Sequence, residues 1–76
     1  KKIRVNSIAP GFIKSSYYKN FLKNRKKLYK WTLSRIPLYK WGENIDVANL
    51  TLFLISENSE YINGQIIKID GGWTSA

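Results

Sequence analysis

Ile3-Arg4-Val5-Asn6-Ser7-Ile8-Ala9-Pro10-Gly11 decides how the rest of this 76-residue chain is read. Residues 3–9 are short and rich in β-branched side chains, and Pro10-Gly11 stops them in a sharp turn, which is the pattern of a strand. Apolar and polar positions do not alternate cleanly, which suits a strand covered on both faces of a parallel sheet better than an edge hairpin. Much later, Gln65-Ile66-Ile67-Lys68-Ile69-Asp70 reads as a second strand and ends at Gly71-Gly72. Helical material separates the two, so they are expected to lie parallel in one sheet, joined by a right-handed β-α-α-β crossover.

That material falls into two parts. Over residues 17–34, Tyr18, Phe21, Leu22, Leu28, Tyr29, Thr32 and Leu33 recur near helical spacing, with Lys19, Lys23, Lys26, Lys27 and Lys30 between them. One amphipathic helix or a pair of short ones is expected, and Asn24 and repelling pairs such as Lys19 and Lys23 weigh against a single one. Pro37, in Arg35-Ile36-Pro37-Leu38, breaks any helix. A second helix is expected over residues 45–56, after the turn Trp41-Gly42-Glu43-Asn44. Glu43 or Asn44 caps it, and Asp46 occupies the first turn, where the dipole favours a carboxylate. Residues 47–55 are apolar nearly all round, so this helix needs cover on more than one side, and the chain has too little other material to provide it. A polar loop, Glu57-Asn58-Ser59-Glu60, and a turn at Tyr61-Ile62-Asn63-Gly64 lead into the second strand. The organisation is one piece of an α/β layer structure that lacks the other strands such a sheet needs.

Composition narrows the chemistry. There is no Cys, His or Met, which excludes disulfides, the usual thiolate and imidazole metal sites, Cys nucleophiles and His-based triads. A chain this short buries only about 60% of its unfolded surface. With no Met at its start, and an opening at Lys1-Lys2-Ile3 inside what reads as a strand, the sequence is expected to be a processed product or part of a longer protein. Net charge is +8, but residues 1–42 hold twelve Lys or Arg and no acid, whereas the remainder holds Lys68 against five Asp or Glu. No stretch approaches the roughly 18 apolar residues of a membrane span, and no signal-peptide core occurs. A cytoplasmic protein with no membrane partner is expected.

Ligands of open parallel sheets bind outside the carboxyl ends of the strands, where this chain carries Pro10-Gly11 and Gly71-Gly72. Gly11 allows close approach of a flat ligand, and the amides after it, with the Ser15 hydroxyl, are donors for an amide or phosphate; the same Pro-Gly pair also reads as a plain turn. Seven of the eleven aromatics, Tyr17, Tyr18, Phe21, Tyr29, Trp31, Tyr39 and Trp41, lie among the lysines. Such interleaving serves base stacking and phosphate contact in a small nucleic-acid-binding module, which is the alternative; the reading adopted is a packed helix with a solvated Lys face, and no nucleic-acid partner is expected. Glu57 and Glu60 sit in a polar loop with nothing to split their pKa values, so they are not read as an acid/base pair.

Taken in order, residues 3–13, Arg35-Ile36-Pro37-Leu38, Trp41-Gly42-Glu43, Asp46-Val47-Ala48, Phe53-Leu54-Ile55-Ser56, Tyr61-Ile62-Asn63-Gly64-Gln65 and Asp70-Gly71-Gly72-Trp73 resemble the C-terminal part of the classical short-chain dehydrogenases/reductases. The resemblance runs essentially end to end. It implies residues 1–76 as the C-terminal segment of one Rossmann-type domain, a portion of a doubly wound parallel sheet that is incomplete alone. It implies an oxidoreductase using NAD or NADP, with hydride passing between nicotinamide and a carbonyl or alcohol carbon of a small molecule. Carried over by position, Pro10 and Gly11 form the turn beside the nicotinamide, the Ile13 backbone bonds its carboxamide, and Ser15 stands where the family usually has Thr on the cofactor. Asn44 replaces a common Pro, and Asn63 a frequent Thr. The family's glycine-rich loop, catalytic Ser and Tyr-x-x-x-Lys pair lie upstream of this region, so no catalytic residue is expected here and the segment alone is expected to be inactive. Tyr17 and Tyr18 fall in the family's variable substrate-binding segment. The ending Asp70-Gly71-Gly72-Trp73-Thr74 is compatible with sugar-, sugar-acid- or 3-oxoacyl-type reductases, the last two favoured, and the family implies a tetramer with the last helix and strand at a two-fold interface. An inactive truncated product is the third reading left open.

Overall fold

The computed structural model describes residues 3–75. Lys1 and Lys2, where the first strand was expected to be already under way, and Ala76 lie outside the described residues. The elements run β1 (Ser7–Pro10), α1 (Tyr18–Asn24), α2 (Lys26–Arg35), α3 (Asn44–Leu54), a 3-10 turn at Glu57–Ser59, β2 (Ile66–Ile69) and a last 3-10 turn at Trp73–Ser75. The two strands pair in parallel, with Ser7 opposite Ile66 and Pro10 opposite Ile69, so the expected α/β crossover is present. Ser7 N–H donates to the Gln65 carbonyl at 2.8 Å and Gly11 N–H to Ile69 at 3.0 Å. With a period of two along the strand, the Pro10 nitrogen therefore points away from β2, where its missing donor disturbs no bond to that strand.

The first strand is shorter than the expected span of residues 3–9, and includes Pro10. Upstream of Ser7 one backbone bond, Gly64 N–H to the Val5 carbonyl at 2.8 Å, is joined by side-chain bonds: Val5 N–H donates to Asn63 Oδ1 at 2.9 Å, and Gln65 N–H donates to Asn6 Oδ1 at 3.0 Å. Arg4 reaches across to donate to the carbonyls of Ile62 (3.0 Å) and Leu54 (2.9 Å), gathering the end of α3 and the loop after it. Asn63 thus has a structural partner of its own. The break between α1 and α2 falls at Arg25, whose backbone (φ −137°, ψ 49°) leaves the helical region. Glu43 is the cap of α3, and Asp46 Oδ2 accepts from its amide at 2.7 Å. The expected polar loop at Glu57–Ser59 is a one-turn 3-10 helix, because the Ser56 side chain accepts from Asn58 N–H and caps it.

The best-packed region is not the sheet but an aromatic cluster around Trp41. Its ring lies 5.0 Å from Phe12, 5.1 Å from Phe21 and 5.5 Å from both Tyr18 and Tyr29. The buried indole N–H donates to Thr32 Oγ1 at 2.8 Å, and that hydroxyl donates to the Tyr29 carbonyl at 2.6 Å. Trp41, Thr32 and Ile36 are buried. By contrast, Ile45, Leu52, Phe53 and Ile55 around α3 and Ile66 on β2 are exposed, leaving the apolar helix without the cover its sequence demands. The molecule is accordingly flat, 50 × 25 × 15 Å, with a radius of gyration of 14.9 Å against about 11 Å for a compact chain of this length.

Candidate functional site at the carboxyl ends of the strands

Pro10-Gly11 and Asp70-Gly71-Gly72 meet at the carboxyl edge of the strand pair. A Cβ on Gly11 would stand 2.7 Å from Asp70 Cβ and 3.0 Å from its Cα, so the close approach of the two chain segments requires glycine at this position. Gly71 and Gly72 have φ of +63° and +96° and lie against Ile36 and Pro37, which joins the end of β2 to the turn that closes α2.

Asp70 organises this turn. Its Oδ1 accepts from Gly72 N–H at 2.9 Å, and Oδ2 accepts from the Thr74 hydroxyl at 2.9 Å and the Thr74 amide at 3.3 Å. Partial desolvation works upward on the carboxyl and is outweighed by the Thr74 hydroxyl, the two amides and the charge of Lys68, which together hold it below its ordinary value. A concavity of about 420 Å³ opens here, lined by Pro10, Gly11, Phe12, Asp70, Trp73 and Thr74 among others. Asp70, Trp73 and Thr74 were not singled out as site residues from the sequence. The signal available was an Asp followed at two and four residues by donors, the spacing of a side chain that bonds its own turn.

Beyond Gly11 the chain runs alongside Gly42. Gly42 N–H donates to the Phe12 carbonyl at 2.9 Å, and Lys14 N–H donates to the Gly42 carbonyl at 2.8 Å, a parallel bridge centred on Ile13. A Cβ on Gly42 would meet Ile13 Cδ1 at 2.8 Å. The bridge leaves the Ile13 amide with no acceptor among the described residues, while its carbonyl accepts from Ser15 N–H at 2.7 Å. Ser15 is exposed. Lys14 Nζ pairs with Glu43 at 3.0 Å, and that hydrogen bond raises the Lys14 pKa against slight desolvation. The four residues carried over from the resemblance therefore occupy one loop. Pro10 and Gly11 line the concavity, and Ile13 and Ser15 lie beyond it toward α1.

The aromatics among the lysines divide. Tyr18, Phe21, Tyr29 and Trp41 form the cluster, and Trp31 packs edge-on against Trp73 at 5.7 Å, leaving Tyr17 and Tyr39 well exposed. Among the described residues no helix is long and apolar enough to cross a membrane.

A parallel strand pair with glycine turns at its carboxyl edge is the layout in which doubly wound α/β proteins hold their ligands. The family model described as enoyl-(acyl carrier protein) reductase matches residues 1–74, and the chain belongs to the short-chain dehydrogenase/reductase family. It is 46% identical over 72 residues to the 3-oxoacyl-(acyl-carrier-protein) reductase FabG of Thermotoga maritima, covering 95% of this chain and 28% of that protein. Among solved structures, 4-hydroxyisoleucine dehydrogenase complexed with NADH superposes with a TM-score of 0.88 at 36% identity, over 97% of this chain and 30% of that one. A gluconate 5-dehydrogenase from Burkholderia cenocepacia, in complex with NADP and tartrate, gives 0.84 at 32% identity, over 96% and 28%. The chain thus spans less than a third of the length of each.

Proposed function

We propose that residues 1–76 are the C-terminal segment of one Rossmann-type dehydrogenase domain, and that the whole protein is an NAD- or NADP-dependent oxidoreductase acting on a small carbonyl or alcohol substrate, of the 3-oxoacyl or sugar-acid class. The nicotinamide supplies the hydride, and the groups that move the proton belong to the part of the domain upstream of this segment. This segment's task is to hold the cofactor. The observation that carries the reading is the loop from Pro10 to Ser15: Pro10 and Gly11 line the concavity, the Ile13 amide has no acceptor among the described residues and stands beside its own carbonyl, and Ser15 is exposed. A donor and acceptor on one backbone residue match a carboxamide, and a nearby hydroxyl adds a further hydrogen bond. The names of the relatives support both substrate classes, and cofactors in the superposed structures support the nicotinamide. The exposed apolar surface of α3 and β2 supports a homo-oligomer, read as a tetramer in the cytoplasm, in which this surface is covered.

The test is titration of NAD(H) and NADP(H) into the intact protein. The wild type binds one of the pairs, Ser15→Ala weakens binding about three- to tenfold, the scale of one hydrogen bond, and Ser15→Thr retains it. Absence of binding to either pair sinks the proposal, and an unchanged Kd in Ser15→Ala removes Ser15 from the site.

A further inference from the structure

The loop that carries Pro10, Gly11, Ile13 and Ser15 is fastened by backbone bonds at both ends. At its start Gly11 N–H donates to Ile69, and at its end the Ser15 carbonyl accepts from Tyr18 N–H at 3.0 Å. In the middle the Phe12 carbonyl and the Lys14 amide both bond Gly42, leaving the Ile13 amide between them without an acceptor among the described residues. One side chain adds to this frame. The Lys14 ammonium lies 5.1 Å from the centre of the Tyr18 ring and 3.0 Å from Glu43 Oε2, within reach of a cation–π contact on one side and a carboxylate on the other. Tyr18 belongs to α1 and packs on Trp41; Glu43 begins α3, its own amide held by Asp46 at 2.7 Å. Lys14 thus joins the loop, α1 and the start of α3 at a point flanked in sequence by Ile13 and Ser15. Residues 1–42 contain no acid, so the one ion pair among the described residues draws its carboxylate from the other half of the chain.

The two side chains are 32% and 54% exposed, and an ion pair this open to solvent does little for overall stability. What it can do is local. Two roles for Lys14 make opposite demands on Glu43. A lysine aimed at the phosphates of a dinucleotide would bind them better without a carboxylate beside it, because that carboxylate neutralises the cation and repels the ligand. A lysine that braces the loop needs the carboxylate as its anchor. The geometry favours the brace, since the ammonium is already engaged by Glu43 and the Tyr18 ring. We propose that the Lys14–Glu43 pair is a positioning device for the cofactor loop, holding Ile13 and Ser15 in the register in which they meet the nicotinamide carboxamide. Neither Lys14 nor Glu43 touches the cofactor in this role. The inference rests on the cofactor reading above and adds the residues that orient that same site.

The experiment measures cofactor Kd and melting temperature in the intact protein, with whichever of NAD(H) or NADP(H) the wild type binds. Lys14→Met removes the charge and keeps a stem over Tyr18, Glu43→Gln removes the partner's charge and keeps an acceptor at the start of α3, and Lys14→Arg keeps the pair. Each of the first two weakens cofactor binding about three- to tenfold, the double variant weakens it no further than either alone, and Lys14→Arg stays within about twofold of wild type. Melting temperature changes little in all of them, and substrate KM at saturating cofactor stays within about twofold. Tighter binding in Glu43→Gln overturns the proposal in favour of direct contact between Lys14 and the phosphates. Additive losses in the double variant overturn it too, as does a fall in melting temperature that matches the loss of binding. A wild type that binds neither cofactor sinks the cofactor reading and the brace with it, whereas a wild type that binds, beside single variants that bind equally well, sinks the brace alone.

Discussion

At the scale of single residues, Gly11 and Asp70 hold the carboxyl edge together. Gly11→Ala places a methyl 2.7 Å from Asp70 Cβ with backbone directly behind it, so the strands must shift. A loss of about 1–3 kcal/mol is expected in denaturant unfolding of the intact protein, with weaker cofactor binding alongside. Asp70 makes stability depend on acid. Its folded pKa is depressed, so its contribution is complete above the ordinary carboxylate range and is lost as pH falls through the folded value. Melts of wild type and Asp70→Asn taken between about pH 6 and pH 3 should converge at the acid end; a constant difference would show that the Thr74 and Gly72 bonds do not depend on the charge.

At the scale of elements, the Trp41 cluster binds α1, α2 and the loop after β1 into one unit. Thr32 is its polar pivot, fully buried and in contact with both the indole N–H and the Tyr29 carbonyl. Thr32→Val leaves a buried indole donor unpaired and is expected to cost about 1–3 kcal/mol, with Thr32→Ser recovering most of it. A Thr32→Val protein with wild-type stability would mean that water reaches the indole. The periodicity of residues 17–34 made the two-faced helices legible, and Glu43 with Asp46 made the start of α3 legible. Trp41 as the hub was not legible, because a Trp beside Gly42 in a turn carries no period that says what it packs against. The end of the first strand at Ser7 was equally hidden, since it depends on Asn6, Asn63 and Arg4 bonding across about sixty residues of chain.

At the scale of the whole molecule, the exposed apolar residues of α3 and β2 dominate. Ile55 is 73% exposed and Ile66 71%, and unpartnered apolar surface of this kind drives association. The 76-residue chain made by itself should sediment as concentration-dependent aggregates and melt without cooperativity. A sharp, concentration-independent monomeric melt would show that the strand pair and its helices are self-sufficient.

The amino-acid sequence by itself determined the α/β order, the parallel pair, the helix spans to within a few residues and the family, because strand composition, helical period and glycine turns are local properties that the ordered motifs reinforce. It also placed Pro10, Gly11, Ile13 and Ser15 in one loop, since they are neighbours in the chain. Only the tertiary structure decided that Asp70 and Thr74 complete the edge, that Gly11 is bare because Asp70 lies against it, and that Tyr18, Phe21 and Tyr29 pack on Trp41 while Tyr17 and Tyr39 stay exposed. Those facts depend on which distant segments come into contact, and contact is settled by packing, not by the residues of any one segment.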